Sequence, residues 1–150
     1  MTVTGLVHVN INCSDFDRSL SFYELLGFQK LVGVPAQNTP EVAAAVGMPP
    51  YTVKGALLIL KNSKTPLMID LLEWVDPSDS SPPYEHLYHL GIARVALATD
   101  DLESDVAFLQ SNGVEFLSEP ATVKLKDNPA TRFVCFKDPD GTILELVEGY

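Results

Sequence analysis

Four charged or ionisable side chains stand at strand positions where an idle charge would be expensive. Glu145 lies between Leu144 and Leu146, Asp70 between Ile69 and Leu71, and Arg94 between Ala93 and Val95. A carboxylate set among core residues needs a partner, because an unpaired buried charge is strongly unfavourable. His8 follows Leu6-Val7 in a similar apolar strand. An imidazole can ligate a metal or move a proton, whereas a guanidinium has no free lone pair and stays charged. His8 and Arg94 are also linked by an internal repeat. Shifted by 86 positions, Gly5 meets Gly91, Asp15 meets Asp101, Phe22 meets Phe108 and Gly27 meets Gly113, so that His8 falls on Arg94. The same place is therefore held once by a metal-competent ring and once by a permanent cation.

The elements that must position these residues follow from periodicity. Over 5–13, Val7, Val9, Ile11 and Cys13 alternate with Leu6, His8, Asn10 and Asn12, which predicts a strand with one core face and one polar, pocket-facing side. The counterpart over 91–99 puts Ala93, Val95 and Leu97 on the core face, and Ile92, Arg94, Ala96 and Ala98 on the other. Each strand leads into a helix. Ser14 or Asp15 caps the first, which carries Phe16, Leu20, Tyr23 and Leu26 and ends at Gly27. The second starts at Asp100–Asp101, carries Leu102, Val106 and Leu109, and stops at Gly113. Three segments of strand character follow in each half, over 28–34, 52–61 and 66–74, then over 114–117, 131–137 and 142–148, with Asp138-Pro139-Asp140-Gly141 as a turn between the last two. Ile69-Asp70-Leu71 matches Leu144-Glu145-Leu146 at an offset of 75, eleven less than 86, so the first half holds an insertion. Its expected place is 35–50, with Thr39 capping a short helix, Pro40 in its first turn and Gly47 at its end.

Composition narrows the classes. The 150 residues suit one domain or two small halves. A net charge of −10 and the lack of a basic stripe argue against nucleic acid. No apolar run approaches the ~20 residues of a membrane span, and the start does not read as a signal peptide. Cys13 and Cys135 form no disulfide framework, so a reducing cytoplasm is expected. His86-x-x-His89 reads as part of a linker rather than a ligand pair, and Trp74, Tyr84 and Tyr88 either line a cavity entrance or, the preferred reading, pack under that linker.

The chain resembles the vicinal oxygen chelate superfamily, which includes glyoxalase I, extradiol dioxygenases, methylmalonyl-CoA epimerase, and fosfomycin and bleomycin resistance proteins. The resemblance rests on His8, on Ser14-Asp15-Phe16-Asp17-Arg18-Ser19-Leu20-Ser21-Phe22-Tyr23 with Leu26-Gly27-Phe28, and on Phe136 through Leu146. It implies an α+β fold of two tandem βαβββ modules, with curved mixed sheets enclosing a central cavity. The modules fall at 1–75 (insertion 35–50) and 91–150, joined by a linker at 76–90, as one glyoxalase-like domain. It also implies four ligand positions, on the first and last strand of each module, which fall on His8, Asp70, Arg94 and Glu145. A small-molecule ligand and a homodimer are implied as well.

Two arrangements of that quartet stand open. In one, Arg94 takes the place of a metal and bonds Glu145, Asp70 or both. In the other, His8, Asp70 and Glu145 hold a divalent zinc, nickel, iron or manganese ion while Arg94 swings away. Repulsion between Arg94 and such an ion puts the metal-free arrangement first. The expected function is a small-molecule enzyme of lyase or isomerase type that transfers a proton next to a carbonyl. Glu145, Arg94 and Asp70 would be catalytic, and His8, Asn10 and Asn12 would face the substrate. The rival is a non-catalytic, drug-sequestering binding protein resembling bleomycin resistance proteins. An extradiol dioxygenase is disfavoured because Arg94 takes the place of a second histidine, and a glutathione-adduct glyoxalase because the four-ligand set is incomplete.

Overall fold

In the computed structural model, which describes residues 2–61, 63, 67–124 and 130–149, the chain divides into two units, Met1–Ser81 and Pro82–Tyr150. The first runs β1 (His8–Cys13), α1 (Phe16–Leu25), β2 (Phe28–Gly33), α2 (Pro40–Ala45), β3 (Thr52–Leu60) and β4 (Met68–Asp76). Its sheet has the order β1-β4-β3-β2, with β1 and β4 parallel and the other pairs antiparallel. Strand alternation sends Ile11, Cys13, Ala56, Leu58, Ile69 and Leu71 into the core, where Phe16, Ser19 and Tyr23 of α1 are buried with them. The other face carries His8, Asn10, Asn12, Asp70 and Trp74. The insertion forms α2 as expected, with Thr39 as N-cap, Pro40 in the first turn and Gly47 at a φ of 74° just beyond it. Position 66 of the expected 66–74 segment lies outside the described residues.

The second unit repeats the plan with β5 (Val95–Ala98), α3 (Leu102–Ser111), β6 (Ala121–Val123), β7 (Thr131–Lys137) and β8 (Ile143–Glu148), in the order β5-β8-β7-β6. Leu97, Val134, Phe136, Leu144 and Leu146 form its core with Leu102, Val106 and Leu109 of α3. One strand expectation fails here. Residues 114–117 do not form a strand; Phe116 makes an isolated bridge to Phe136, and the ladder resumes at β6. That bridge is closed by Leu117 N donating to Cys135 O at 2.9 Å and Lys137 N to Glu115 O at 3.3 Å. Among the described residues no helix is long and apolar enough to cross a membrane.

The repeat extends to individual contacts. Asp15 caps α1 by accepting from Arg18 N at 3.0 Å, and Asp101 caps α3 by accepting from Ser104 N at 3.0 Å. Each last strand then reaches a glutamate to the start of its helix: Glu73 Oε2 accepts from Phe16 N at 2.8 Å, and Glu148 Oε1 from Leu102 N at 3.0 Å. A cation on the neighbouring strand bonds the second residue of each helix, Lys54 to Asp17 and Arg132 to Glu103. The first N–H groups of a helix have no partner within it and favour a negative charge, so both glutamates fasten helix to sheet. Removing the side chain in Glu73→Ala is expected to cost about 1 kcal/mol, in the range of a lost helix cap, measured by urea unfolding.

Candidate functional site

In the second unit, Glu145 stands on β8 facing away from α3, opposite Ala96 of β5 and Cys135 of β7. Its flanking leucines are spent on the core, so strand parity alone turns the carboxylate to the other side. It is 7% exposed. Arg94, one residue before β5, forms an ion pair through its Nε with Glu145 Oε2, and the Cys135 thiol approaches the same oxygen at 3.7 Å. Burial first, and then the Glu145 charge, push the Cys135 thiol above its ordinary range, with Arg94 opposing. A protonated thiol is therefore available to donate its S–H to Glu145 at neutral pH. The Arg94 side chain stays 44% exposed, so the cation that neutralises Glu145 is open to an incoming molecule. Sequence reasoning paired Arg94 with a carboxylate but missed Cys135, whose place opposite Glu145 depends on the β7–β8 register.

In the first unit, His8, Asn10 and Asn12 line β1 on the side away from α1. Asn10 Nδ2 donates to the Asp70 backbone oxygen at 2.8 Å, and Asn12 Oδ1 accepts from Trp74 Nε1 at 2.9 Å. Trp74 also packs its ring on Tyr51, centroids 4.8 Å apart, so it belongs to the sheet face rather than to packing beneath the linker. Tyr84 and Tyr88 stack on His89 and His86 respectively, with Tyr88 84% exposed. Among the described residues Asp70 Oδ1 is buried and accepts no hydrogen bond. Burial pushes the Asp70 carboxyl up, and the nearby His8 charge pulls the other way.

The raised carboxyl has a consequence for stability. The folded state holds the Asp70 proton more tightly than the unfolded chain does, so this group's contribution falls as pH rises from the ordinary aspartate value through the raised one. Asp70→Asn is accordingly expected to stabilise the protein at neutral pH, by less than about 1 kcal/mol given solvent screening. The gain should vanish below the ordinary aspartate range, which melting curves at several pH values would show.

Two four-stranded mixed sheets with few helices are the α+β arrangement of the glyoxalase type of fold. A model of the Glyoxalase/Bleomycin resistance protein/Dioxygenase superfamily matches residues 5–146, and the chain belongs to that superfamily. YwkD of Bacillus subtilis (strain 168) is 26% identical over 99% of both chains. A glyoxalase family protein from Bacillus cereus shares the fold at a TM-score of 0.81 and 19% identity, covering 99% of this chain and 95% of its own. The fosfomycin resistance protein FosX from Listeria monocytogenes matches at a TM-score of 0.63 and 14% identity, over 99% and 96%. TnmS3, an antibiotic binding protein from Streptomyces sp. CB03234, matches at 0.60 and 23%, over 100% and 99%.

Members of the superfamily often use divalent metals, bind small molecules and are often dimeric. Of the positions the resemblance gives to metal ligands, the second unit holds Arg94, whose guanidinium has no free lone pair, paired with the Glu145 carboxylate. Among the described residues no three His, Cys, Asp or Glu side chains are grouped so as to hold an ion.

Proposed function

We propose that the protein is a small-molecule enzyme of lyase or isomerase type, in which Arg94 and Glu145 carry out proton transfer next to a carbonyl without a metal. The observation that supports this is the buried Glu145 carboxylate held by a half-exposed Arg94. A carbonyl oxygen binding the open side of the guanidinium places its α-carbon near Glu145. The C–H bond breaks, the proton passes to a Glu145 oxygen, and the electron pair moves onto the carbonyl oxygen as an enolate. Arg94 stabilises that oxyanion. Return of the proton to the other face of the same carbon gives an epimer; alternatively the enolate pair forms a C=C bond as a β-substituent departs with its bonding electrons and takes the proton from Glu145, which gives a lyase product. The Cys135 S–H positions the base.

The direct test is α-proton exchange with deuterium oxide, followed by NMR across 2-oxo acids, hydroxyketones and their thioesters. Exchange that survives thorough chelation supports the reading. Exchange that needs added metal, or none with any carbonyl compound, overturns it. The protein is further proposed to act as a cytoplasmic homodimer, which light scattering would check for subunit number.

A second reading has its own support. The unsatisfied Asp70 oxygen and the net charge of −10 suit a binding protein that holds a ligand without changing it, and TnmS3, which is similar in fold, is an antibiotic binding protein. Recovery of a bound compound unchanged after long incubation would favour it.

A further inference from the structure

We propose that Cys135 is a capture site for small, uncharged α,β-unsaturated ketones, its sulfur adding to the β-carbon while Glu145 carries the proton and Arg94 holds the carbonyl oxygen. The lyase outcome leaves a compound of this class beside the thiol, and the capture rests on the reading of Arg94 as oxyanion partner and Glu145 as proton carrier. Cys135 stands directly opposite Glu145 across β7 and β8, and strand parity turns both side chains away from α3. The thiol donates toward Glu145 Oε2 over 3.7 Å, and Arg94 Nε pairs with the same oxygen. Nucleophile, base and oxyanion partner therefore meet at one carboxylate. Cys135 is 8% exposed and Glu145 7%, so a molecule that reaches the base also reaches the thiol.

A thiol adds slowly to a C=C bond until its proton is taken. Here the S–H bond breaks toward Glu145 as the C–S bond forms at the β-carbon. The C=C pair moves through the α-carbon onto the carbonyl oxygen, giving an enolate that Arg94 stabilises. The α-carbon then takes the proton back from Glu145. One thiol and one unsaturated ketone become one saturated thioether, and nothing else is consumed. The same face carries Ala96 and Ala98 of β5, Phe133 of β7 and Val147 of β8. These side chains are small or apolar, which favours ketones whose remaining substituents are compact and uncharged.

Cys13 is the internal standard, since it is also 8% exposed but belongs to the core side of β1. The probe is 2-cyclohexenone, compared with iodoacetamide, which alkylates by displacement and forms no enolate; peptide mapping by mass spectrometry reads each cysteine. With 2-cyclohexenone, Cys135 is expected to react at least about tenfold faster than Cys13, a ratio well above the one iodoacetamide gives. Glu145→Gln should slow labelling of Cys135 by about tenfold or more in a protein that circular dichroism shows to be folded. A thiol merely kept protonated by the Glu145 charge would react faster in that variant, and this result overturns the proposal. Equal labelling of the two cysteines in the parent protein overturns it without any variant. Exchange of α-protons on saturated ketones with Cys135 unlabelled by 2-cyclohexenone sinks the capture alone, whereas labelling without exchange supports the capture and counts against turnover.

Discussion

Glu145→Gln is expected to lower the rate of α-proton exchange by about 10²–10⁴-fold, the usual contribution of a positioned acid or base. The amide has the same shape and can still accept from Arg94, but it cannot take up a proton at neutral pH. Stability should change little, by about 1 kcal/mol or less, because the Arg94 left behind is 44% exposed and can be hydrated. The pairing of large kinetic loss with small structural loss is the informative result. Exchange at the original rate in a folded Glu145→Gln protein would remove the carboxylate from the reaction.

Arg94→Ala should harm both function and stability. The enolate loses its cation, and removal of a comparable oxyanion donor costs about 10²–10³-fold in rate. Glu145 meanwhile keeps its buried charge with only the Cys135 thiol beside it. Breaking a fully buried pair from one side costs about 3–5 kcal/mol, and the solvent access of Arg94 reduces the figure here to about 1–3 kcal/mol. Adding Glu145→Gln to Arg94→Ala should return most of that stability in urea unfolding but none of the activity. A single variant as stable as the parent would show that the ion pair contributes nothing to the fold.

The architecture was legible because the chain states it twice. Offsets of 86 and 75 located both helices, both last strands and the inserted α2; local chemistry named Thr39 as a cap and narrowed the other two to Ser14 or Asp15 and to Asp100–Asp101, where the structure uses Asp15 and Asp101. Strand parity also pointed Glu145 away from the core. What stayed hidden depends on register between strands distant in sequence. Nothing local says that Glu73 and Glu148 reach helix starts 57 and 46 residues away, that Cys135 lies opposite Glu145, or that Asn12 holds the Trp74 indole. The misplaced strand at 114–117 has a related cause. Val114-Glu115-Phe116-Leu117 has the right composition for a strand, yet only Phe116 forms a bridge.

Divergence between the two copies is lopsided. Caps, glutamate fasteners and leucine cores match across the repeat, whereas His8 has become Arg94, Asn10 Ala96, Asn12 Ala98 and Asp70 Glu145. Side-chain direction in a strand flips at every residue, so the conserved and variable sets occupy opposite surfaces of one backbone. A combinatorial library confined to alternate positions of β1, β4, β5 and β8 could therefore rewrite ligand preference while leaving the folding instructions unedited, and selection would explore chemistry without repeatedly sampling collapse.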